Sequence, residues 1–261
     1  MIKAKKSYGQ HFLTSEPITE RIANSLLLLD EYKHIVEVGP GKGMLTKYLI
    51  KKDTHSFTAI EADGDMVTYL KANLPPFRII QEDILKVHLQ KEMNNEPFGL
   101  IGNFPYNISS QILFTMLDCK DLVPEMVGMF QKEVAERVVS KPGSKVYGVI
   151  SVLVQAYYDC FYLFGVDRSN FNPPPKVQSA VIRCVRKENQ DLGCDTDLFK
   201  KVVKTTFGQR RKMLRNTMKT FVQNEGFLSN PMFTRRPEEL DLQEFIHLTI
   251  LIEDFRKSEK E

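Results

Sequence analysis

The segment Asn103-Phe104-Pro105-Tyr106 combines the groups needed to bind a flat base that carries an exocyclic amine. It follows an apolar run at residues 98–101 and precedes an amphipathic run from about residue 109, so it is predicted at the tip of a strand. Ligands of open α/β sheets bind outside the carboxyl ends of the strands. An amide, an outward carbonyl and an aromatic ring at such a tip therefore indicate a site for a base.

The chemistry that these residues indicate is methyl transfer to the amine of a base taken out of its stack. The lone pair of such an amine is delocalised into the ring, and two acceptors, the Asn103 side-chain oxygen and the Phe104 carbonyl, can bind its hydrogens and turn it toward a donor. Pro105 favours an extended Phe104, which directs that carbonyl outward. Tyr106 offers a stacking face worth roughly 1–3 kcal/mol per base. Alignment and electrostatics would then supply most of the catalysis, without a histidine or carboxylate base.

Phe171, in a loop stiffened by Pro173-Pro174-Pro175, is predicted to be the second stacking face. Two plainer interpretations stay open. The Asn-x-Pro-Tyr segment can be only a tight turn after a strand, and Phe171 can be only a core residue beneath a hairpin.

A glycine-rich loop and two acidic strand ends indicate the methyl donor. Gly39 and Gly41 lie in a loop that brings backbone close to a ligand, but Met44 stands where a dinucleotide site has its last glycine. Glu61 lies about 20 residues further on, where an acid binds a ribose diol, and Asp83 could accept from an adenine amine. Together they predict S-adenosylmethionine rather than NAD, unless the glycines only turn the chain and the acids only cap helices.

Short apolar strands alternate with helical segments through the first two thirds of the chain, which predicts an α/β fold with a doubly wound, mainly parallel, Rossmann-like sheet. Two late strands, at about 157–166 and 179–185, predict an antiparallel edge hairpin. A polar linker near residue 187 separates a methyltransferase domain at 1–187 from a small all-α, RNA-binding domain at 188–261.

The composition is that of a globular protein, with 42% hydrophobic and 26% charged residues and a net charge of +3. The four cysteines form no CxxC pair and no metal-ligand spacing, so we expect free thiols in a reducing compartment and no metal. There is no pattern of a signal peptide and no apolar run long enough for a membrane span. We therefore expect a cytoplasmic protein, active as a monomer and not bound to a membrane.

A basic stretch at 200–219 contains eight lysines and arginines and no acid. Its densest point is Arg210-Arg211-Lys212, directly after Gly208 and Gln209. A solvated helix face would explain the charge alone, but a flipped base needs its flanking phosphates bound. We therefore predict that these three residues bind the RNA backbone without sequence preference.

Six motifs in order resemble the small-subunit rRNA adenine dimethyltransferases: Gly9-Gln10-His11-Phe12-Leu13, residues 36–43, residues 60–63, residues 103–108, residues 171–181 and Phe207-Gly208-Gln209-Arg210-Arg211-Lys212. The resemblance implies that the chain methylates two adjacent adenines, twice each, in the 3′-terminal hairpin loop of 16S rRNA during small-subunit biogenesis. It also implies that His11 and Leu13 contact the cofactor with Gly39, Glu61, Asp83 and Asn103. The family more often carries Asn at the position of His11 and Leu at that of Phe104, which leaves the role of the His11 side chain open.

Two other functions remain possible on this fold. A large-subunit rRNA adenine methyltransferase of the macrolide-resistance type would share the segment at Asn103, but the 207–212 motif and the triple proline favour the small-subunit enzyme. A non-catalytic ribosome-assembly or transcription factor would not need Asn103 and Glu61. An NAD oxidoreductase is disfavoured because no hydride-transfer constellation is present.

Overall fold

The computed structural model describes residue 5 and residues 9–259. Contacts divide the chain into two compact units, Met1–Ala135 with Asp159–Arg186, and Glu136–Tyr158 with Lys187–Glu261. The break after residue 186 lies beside the predicted linker, but residues 136–158, which we expected in the first domain, group with the C-terminal helices. The assignment of methyl transfer to one unit and RNA binding to the other stays a prediction.

The first unit is built on a seven-stranded sheet, with strands β2 (His34–Val38), β3 (Ser56–Ile60), β4 (Arg78–Ile80), β5 (Phe98–Asn103), β6 (Glu125–Gln131), β7 (Tyr158–Val166) and β9 (Ser179–Arg186). Their order in the sheet is β4-β3-β2-β5-β6-β9-β7. The pairs from β4 to β6 are parallel, and β9 runs antiparallel to β6. The predicted doubly wound, mainly parallel sheet with its antiparallel edge is confirmed.

Helices of the first unit follow the strands as α1 (Glu16–Ala23), α2 (Thr46–Leu49), α3 (Gly64–Asn73), α4 (Leu89–Glu92) and α5 (Ser109–Asp118). Helix α6 (Lys132–Val139) spans the boundary between the units. The second unit contains α7 (Val149–Tyr157), α8 (Thr196–Gly208), α9 (Leu214–Met218), α10 (Glu225–Leu228) and α11 (Leu242–Ser258). Helix α11 begins with a capping box, since Asp241 accepts from the Glu244 amide at 2.8 Å and Glu244 from the Asp241 amide at 2.9 Å.

The parallel register brings the carboxyl ends of β2, β3, β4 and β5 to one edge of the sheet. Val38 pairs with Ile60 and Ile60 with Ile80, so the segments after these strands begin side by side. The ladder continues past the strand ends, because the Gly39 amide donates to Ile60 O at 3.0 Å and the Glu61 amide to Ile80 O at 3.0 Å. The loops that carry the predicted cofactor residues are thereby fixed to the sheet.

A second, two-stranded sheet joins the N-terminal segment to the proline-rich loop. Strand β1 (Phe12–Leu13) pairs antiparallel with β8 (Phe171–Asn172), and Leu13 lies opposite Phe171. The Thr14 amide extends the pairing to Asn170 O at 2.8 Å. This connection spans about 160 residues of sequence and was not predicted.

A buried carboxylate on β6 joins β6 and β9 to the segment that follows α1. Glu125 is fully buried and accepts hydrogen bonds from the amides of Leu27 and Leu28 at 3.0 Å, from the Tyr32 hydroxyl at 3.0 Å and from Arg183 Nε. The charge is paired and its oxygens are hydrogen-bonded, as a buried ion requires.

In the described ranges, no helix combines the length and apolar character that crossing a membrane requires.

Candidate active site

A cleft of about 440 Å³ opens at the carboxyl edge of the parallel strands, within the first unit. This volume lies in the range of small-molecule sites, roughly 300–1,000 Å³. Ten of the residues singled out from the sequence line the cleft: His11, Leu13, Gly39, Gly41, Glu61, Asp83, Asn103, Phe104, Pro105 and Tyr106. Their positions in the chain span 96 residues; the parallel topology brings the strand-end residues together, and the N-terminal segment supplies His11 and Leu13.

Asn103, the last residue of β5, has a side chain whose orientation is set by a backbone contact. Its Nδ2 donates to the carbonyl oxygen of His11 at 3.0 Å. A carbonyl can only accept, so the nitrogen must lie on that side of the amide. Within the described chain Oδ1 has no hydrogen-bond partner, which leaves it as an acceptor in the lining of the cleft.

Phe104 is anchored by its ring and its amide. The ring is 1% exposed and packs edge-on against Phe130, with 5.1 Å between centroids, and the amide donates to Met129 O at 3.2 Å. A Cβ added at Gly128 would lie 2.4 Å from the Phe104 ring, and one at Gly102 would lie 2.7 Å from it. The two glycines make room for the Phe104 ring. Because the ring is buried, Phe104 can present only its backbone to a ligand.

Tyr106 is held at its hydroxyl and on one face of its ring. The hydroxyl hydrogen-bonds to that of Ser179, and burial raises the pKa of Tyr106. The imidazole of His11 stacks on the ring, with centroids 5.4 Å apart and planes at 29°. His11 Nδ1 lies 2.9 Å from Pro173 O and must be the donor, since a carbonyl only accepts. The sequence motifs placed His11 among the cofactor contacts but did not predict these interactions.

Glu61 lies where the glycine loop meets the start of α3. Its oxygens accept from the Gly41 amide at 3.1 Å and the Asp63 amide at 2.9 Å, and burial raises its pKa. Gly41 has φ +53°, and a Cβ there would lie 3.0 Å from the ring of Phe12. The glycine is therefore needed to bring the loop amide onto the carboxylate.

Asp83 is half-buried and caps a short 3-10 helix, with Oδ1 accepting from the Leu85 amide at 3.0 Å. The capping role considered from the sequence is thus present, and it occupies one of the two carboxylate oxygens. The other oxygen has no partner in the described part of the chain and belongs to a residue that lines the cleft.

Two groups near the cleft were missed from the sequence. Asp63 binds Lys5 Nζ at 2.7 Å and Gln10 Nε2 at 2.9 Å, so the N-terminal segment is tied to the strand end that carries Glu61. Glu37 is fully buried in the lining and accepts from Thr46 Oγ1 at 2.7 Å, and burial raises its pKa to about 8. An acid between two valines in an apolar strand was the signal that could have found Glu37.

Phe171 does not line the cleft, and the prediction that its ring is a second stacking face is corrected. The ring is 4% exposed and belongs to an apolar cluster that includes Leu13 and Ile22. The pairing of β8 with β1 directs it into this core, which is the plainer interpretation left open above.

The predicted RNA-binding residues lie in the second unit. The guanidinium of Arg210 donates to the backbone carbonyls of Lys145 at 2.6 Å and Ser144 at 3.0 Å, whereas Arg211 and Lys212 are exposed.

Among the described residues, no group of three or more His, Cys, Asp or Glu side chains is placed to bind a metal ion.

Known proteins are similar to this chain in sequence and in fold. Residues 1–237 match a family described as "Ribosomal RNA adenine dimethylase". A Bacteroides fragilis protein named "Ribosomal RNA small subunit methyltransferase A" is 50% identical over 260 residues, which cover 98% of this chain and 95% of the relative.

Two solved structures show the same fold. The similarity to a dimethyladenosine transferase from Plasmodium falciparum has a TM-score of 0.76 at 24% identity and covers 95% of this chain and 98% of that one. The 23S rRNA methyltransferase ErmE matches with a TM-score of 0.68 at 21% identity, over 93% of this chain and 99% of that one.

Proposed function

The chain belongs to the ribosomal RNA adenine dimethylase family and is an rRNA adenine dimethyltransferase, and on this premise we propose its substrate and the roles of its residues. The substrate is the pair of adjacent adenines in the 3′-terminal hairpin loop of 16S rRNA, within the small subunit or its precursor. Each adenine receives two methyl groups on its exocyclic amine. The protein acts as a cytoplasmic monomer. The observation that carries the proposal is the Asn103 amide, oriented by the His11 carbonyl so that Oδ1 is left to accept.

The residues of the cleft fit S-adenosylmethionine. Both Glu61 oxygens are oriented by backbone amides and keep lone pairs for a ribose diol, and Asp83 has a carboxylate oxygen to accept from an adenine amine. The positive φ values of Gly39 (+70°) and Gly41 (+53°) bring backbone to the cleft wall without a side chain. When bound, this cofactor supplies an electrophilic methyl group on a positively charged sulfur.

The target amine is held by two acceptors of different kinds. Asn103 Oδ1 and the Phe104 carbonyl bind its two hydrogens, which directs the nitrogen lone pair out of the ring plane. Both acceptors are rigid before the substrate arrives, because the amide is bound to His11 O and the Phe104 ring is packed beneath Gly128. Pre-oriented dipoles of this kind supply most of the rate enhancement in many enzymes.

The same pair of acceptors can serve two successive transfers. After the first transfer the methylated nitrogen carries a positive charge and loses one proton to solvent. One hydrogen then remains on the amine, so only one acceptor is used in the second transfer. The dimethylated amine has no hydrogen to donate, and its release is favoured because both contacts are then lost. Tyr106 binds the base by stacking throughout, worth roughly 1–3 kcal/mol per base.

The proposal is tested by incubating the protein with labelled S-adenosylmethionine and ribosomal subunits that lack the modification. We expect label at two adjacent adenines near the 3′ end of 16S rRNA. Label in large-subunit RNA would select the macrolide-resistance type of activity instead, and absence of label from both subunits would favour a non-catalytic assembly factor. Label in 16S rRNA is the outcome that we expect, because the chain is 50% identical to a relative named for the small ribosomal subunit.

A further inference from the structure

Asp63 is a buried carboxylate just beyond the end of β3, and it binds the N-terminal segment. Its side chain is 1% exposed, and its Oδ2 accepts from Gln10 Nε2 at 2.9 Å. Its Oδ1 accepts from Lys5 Nζ at 2.7 Å and from the Asp65 amide at 3.1 Å, and the second of these bonds caps α3. Burial alone would raise the pKa of Asp63, but the bonds from Lys5 and Gln10 hold it below its usual value. The group is therefore an ionised carboxylate at neutral pH.

The side-chain amide of Gln10 is held by both of its polar atoms. Nε2 donates to Asp63, and Oε1 accepts from the backbone amide of Lys5 at 2.9 Å. A carboxylate only accepts and a backbone amide only donates, so the two contacts allow a single orientation of the Gln10 side chain. The N-terminal segment is thereby fixed at the residue that precedes His11.

The backbone carbonyl of His11 is the group that orients the Asn103 side chain. It accepts from Asn103 Nδ2 at 3.0 Å. On the other side of His11, β1 pairs with β8, and the His11 imidazole is hydrogen-bonded to Pro173 O at 2.9 Å. The carbonyl thus lies between two fixed points, the Gln10 side chain and the β1–β8 pair. A shift of either point displaces the acceptor to which the Asn103 amide is bound.

We propose that Asp63 is a positioning residue for Asn103 and that it acts through the side chain of Gln10. The His11 carbonyl is the link between Gln10 and Asn103. The inference rests on the proposed function, in which Asn103 Oδ1 binds the target amine. Capping of α3 requires only Oδ1 of Asp63, whereas Oδ2 is bound to Gln10. The Asp63 amide also donates to Glu61 at 2.9 Å, so one residue contacts both the proposed ribose-binding acid and the segment that orients Asn103.

The first test exchanges donor and acceptor between Asp63 and Gln10. Asp63→Asn keeps an oxygen that can cap α3 but sets an amide nitrogen against Gln10 Nε2, so two donors face each other. Turning the Gln10 amide over would lose its bond from the Lys5 backbone instead. Gln10→Glu sets a second carboxylate against Asp63. At saturating cofactor, each single variant should lower the single-turnover rate constant for methyl transfer about threefold to tenfold, the effect of one net hydrogen bond.

The double variant, Asp63→Asn with Gln10→Glu, restores the contact in the opposite direction and conserves the net charge. Its rate constant should return to within about twofold of the wild type, because the two effects are not additive. A double variant as slow as the single variants would overturn the proposal, as would single variants that transfer methyl at the wild-type rate. The matched control is Asp195→Asn, at the residue that caps α8 in the second unit, and it should leave the rate constant unchanged.

A second test asks whether Asp63 acts through Asn103. In the Asn103→Ala background there is no amide to orient, so adding Asp63→Asn should change the rate constant by less than about twofold. A further loss equal to that seen in the wild-type background would show that the two residues act independently, and would refute the positioning role. A thermal melt verifies that each variant is folded.

The third test observes the Asn103 amide directly and needs no substrate. In nitrogen-15 NMR spectra the side-chain signal of Asn103 is identified by its absence from Asn103→Ala. The Nδ2 proton donated to His11 O should exchange with water about threefold to tenfold faster in Gln10→Glu, and should return to the wild-type rate in the exchanged pair. Exchange unaffected by Gln10→Glu would overturn the proposal. Failure of the wild type to methylate 16S rRNA would instead count against the proposed function, so the two failures are distinguishable.

Discussion

Replacing Asn103 tests the arrangement on which the proposed mechanism depends. Asn103→Ala removes the acceptor Oδ1 and the donor to His11 O, now 3.0 Å away. Loss of one pre-oriented group of this kind costs about 10²–10³ in kcat, or about 2.7–4 kcal/mol. The carbonyl of His11 also loses its partner, a cost of about 1–3 kcal/mol if it stays buried. We therefore expect kcat to fall by at least about 10², while S-adenosylmethionine still binds.

A second variant at this position tests the orientation of the amide. Asn103→Asp keeps an oxygen toward the cleft but places another oxygen against the carbonyl of His11, where Nδ2 now donates at 3.0 Å. Repulsion between the two oxygens should displace the remaining acceptor, so we expect a loss of kcat close to that of the alanine variant. Near-normal turnover of Asn103→Asp would show that the contact to His11 does not orient the group.

The assay is single-turnover transfer of labelled methyl to small subunits that lack the modification, with cofactor affinity measured by calorimetry. The control is Asn73→Ala, the same substitution at an exposed residue of α3. A single-turnover rate constant for Asn103→Ala within tenfold of that of the wild type would refute the mechanism. A loss of turnover that merely followed loss of cofactor binding would refute it as well.

Three further predictions concern packing, a buried charge and pH. Gly128→Ala places a Cβ 2.4 Å from the Phe104 ring; we expect a loss of about 1–3 kcal/mol by thermal unfolding together with reduced kcat, and unchanged values of both would contradict the anchoring role. Arg183→Ala leaves the fully buried Glu125 without its cation, and denaturant titration should show a loss of about 3–5 kcal/mol, whereas a loss below 1 kcal/mol would show that the pair is dispensable. Burial raises the pKa of Glu37 to about 8, so this carboxyl stays protonated to a higher pH in the folded state than in the unfolded state. The free energy of unfolding should therefore fall as pH rises from about 4.5 to 8. Glu37→Gln should remove that part of the decline, and identical pH profiles for variant and wild type would argue against it.

Much of the cleft could be predicted because its residues lie at strand ends. Gly39, Glu61 and Asn103 each follow an apolar run, and in a parallel sheet the carboxyl ends of neighbouring strands meet at one edge. Local pattern and topology therefore agree, and the predicted cofactor and base-binding residues other than Phe171 line one cleft. The capping box at Asp241 and the end of α8 at Gly208 were predictable for the same local reason.

Phe171 and Arg210 show where local pattern fails. A phenylalanine in a proline-rich loop has the same sequence signal whether its ring faces a ligand or the core, and only the pairing of β8 with β1 buries it. An arginine in a basic stretch has the same sequence pattern whether its side chain faces solvent or, like Arg210, donates to backbone carbonyls about 65 residues away in sequence, those of Ser144 and Lys145.

The sequence by itself determined the order of strands and helices, the glycine loop with its acids, and the Asn-x-Pro-Tyr segment, because each depends on residues close together in the chain. Only the tertiary structure decided which way the Asn103 amide points, since His11 is 92 residues away. It also decided that the His11 ring covers one face of Tyr106 and that Gly128 makes room for Phe104. Hydrogen bonds and ring contacts act over a few ångströms regardless of sequence separation, and therefore the fold sets the final geometry of the site.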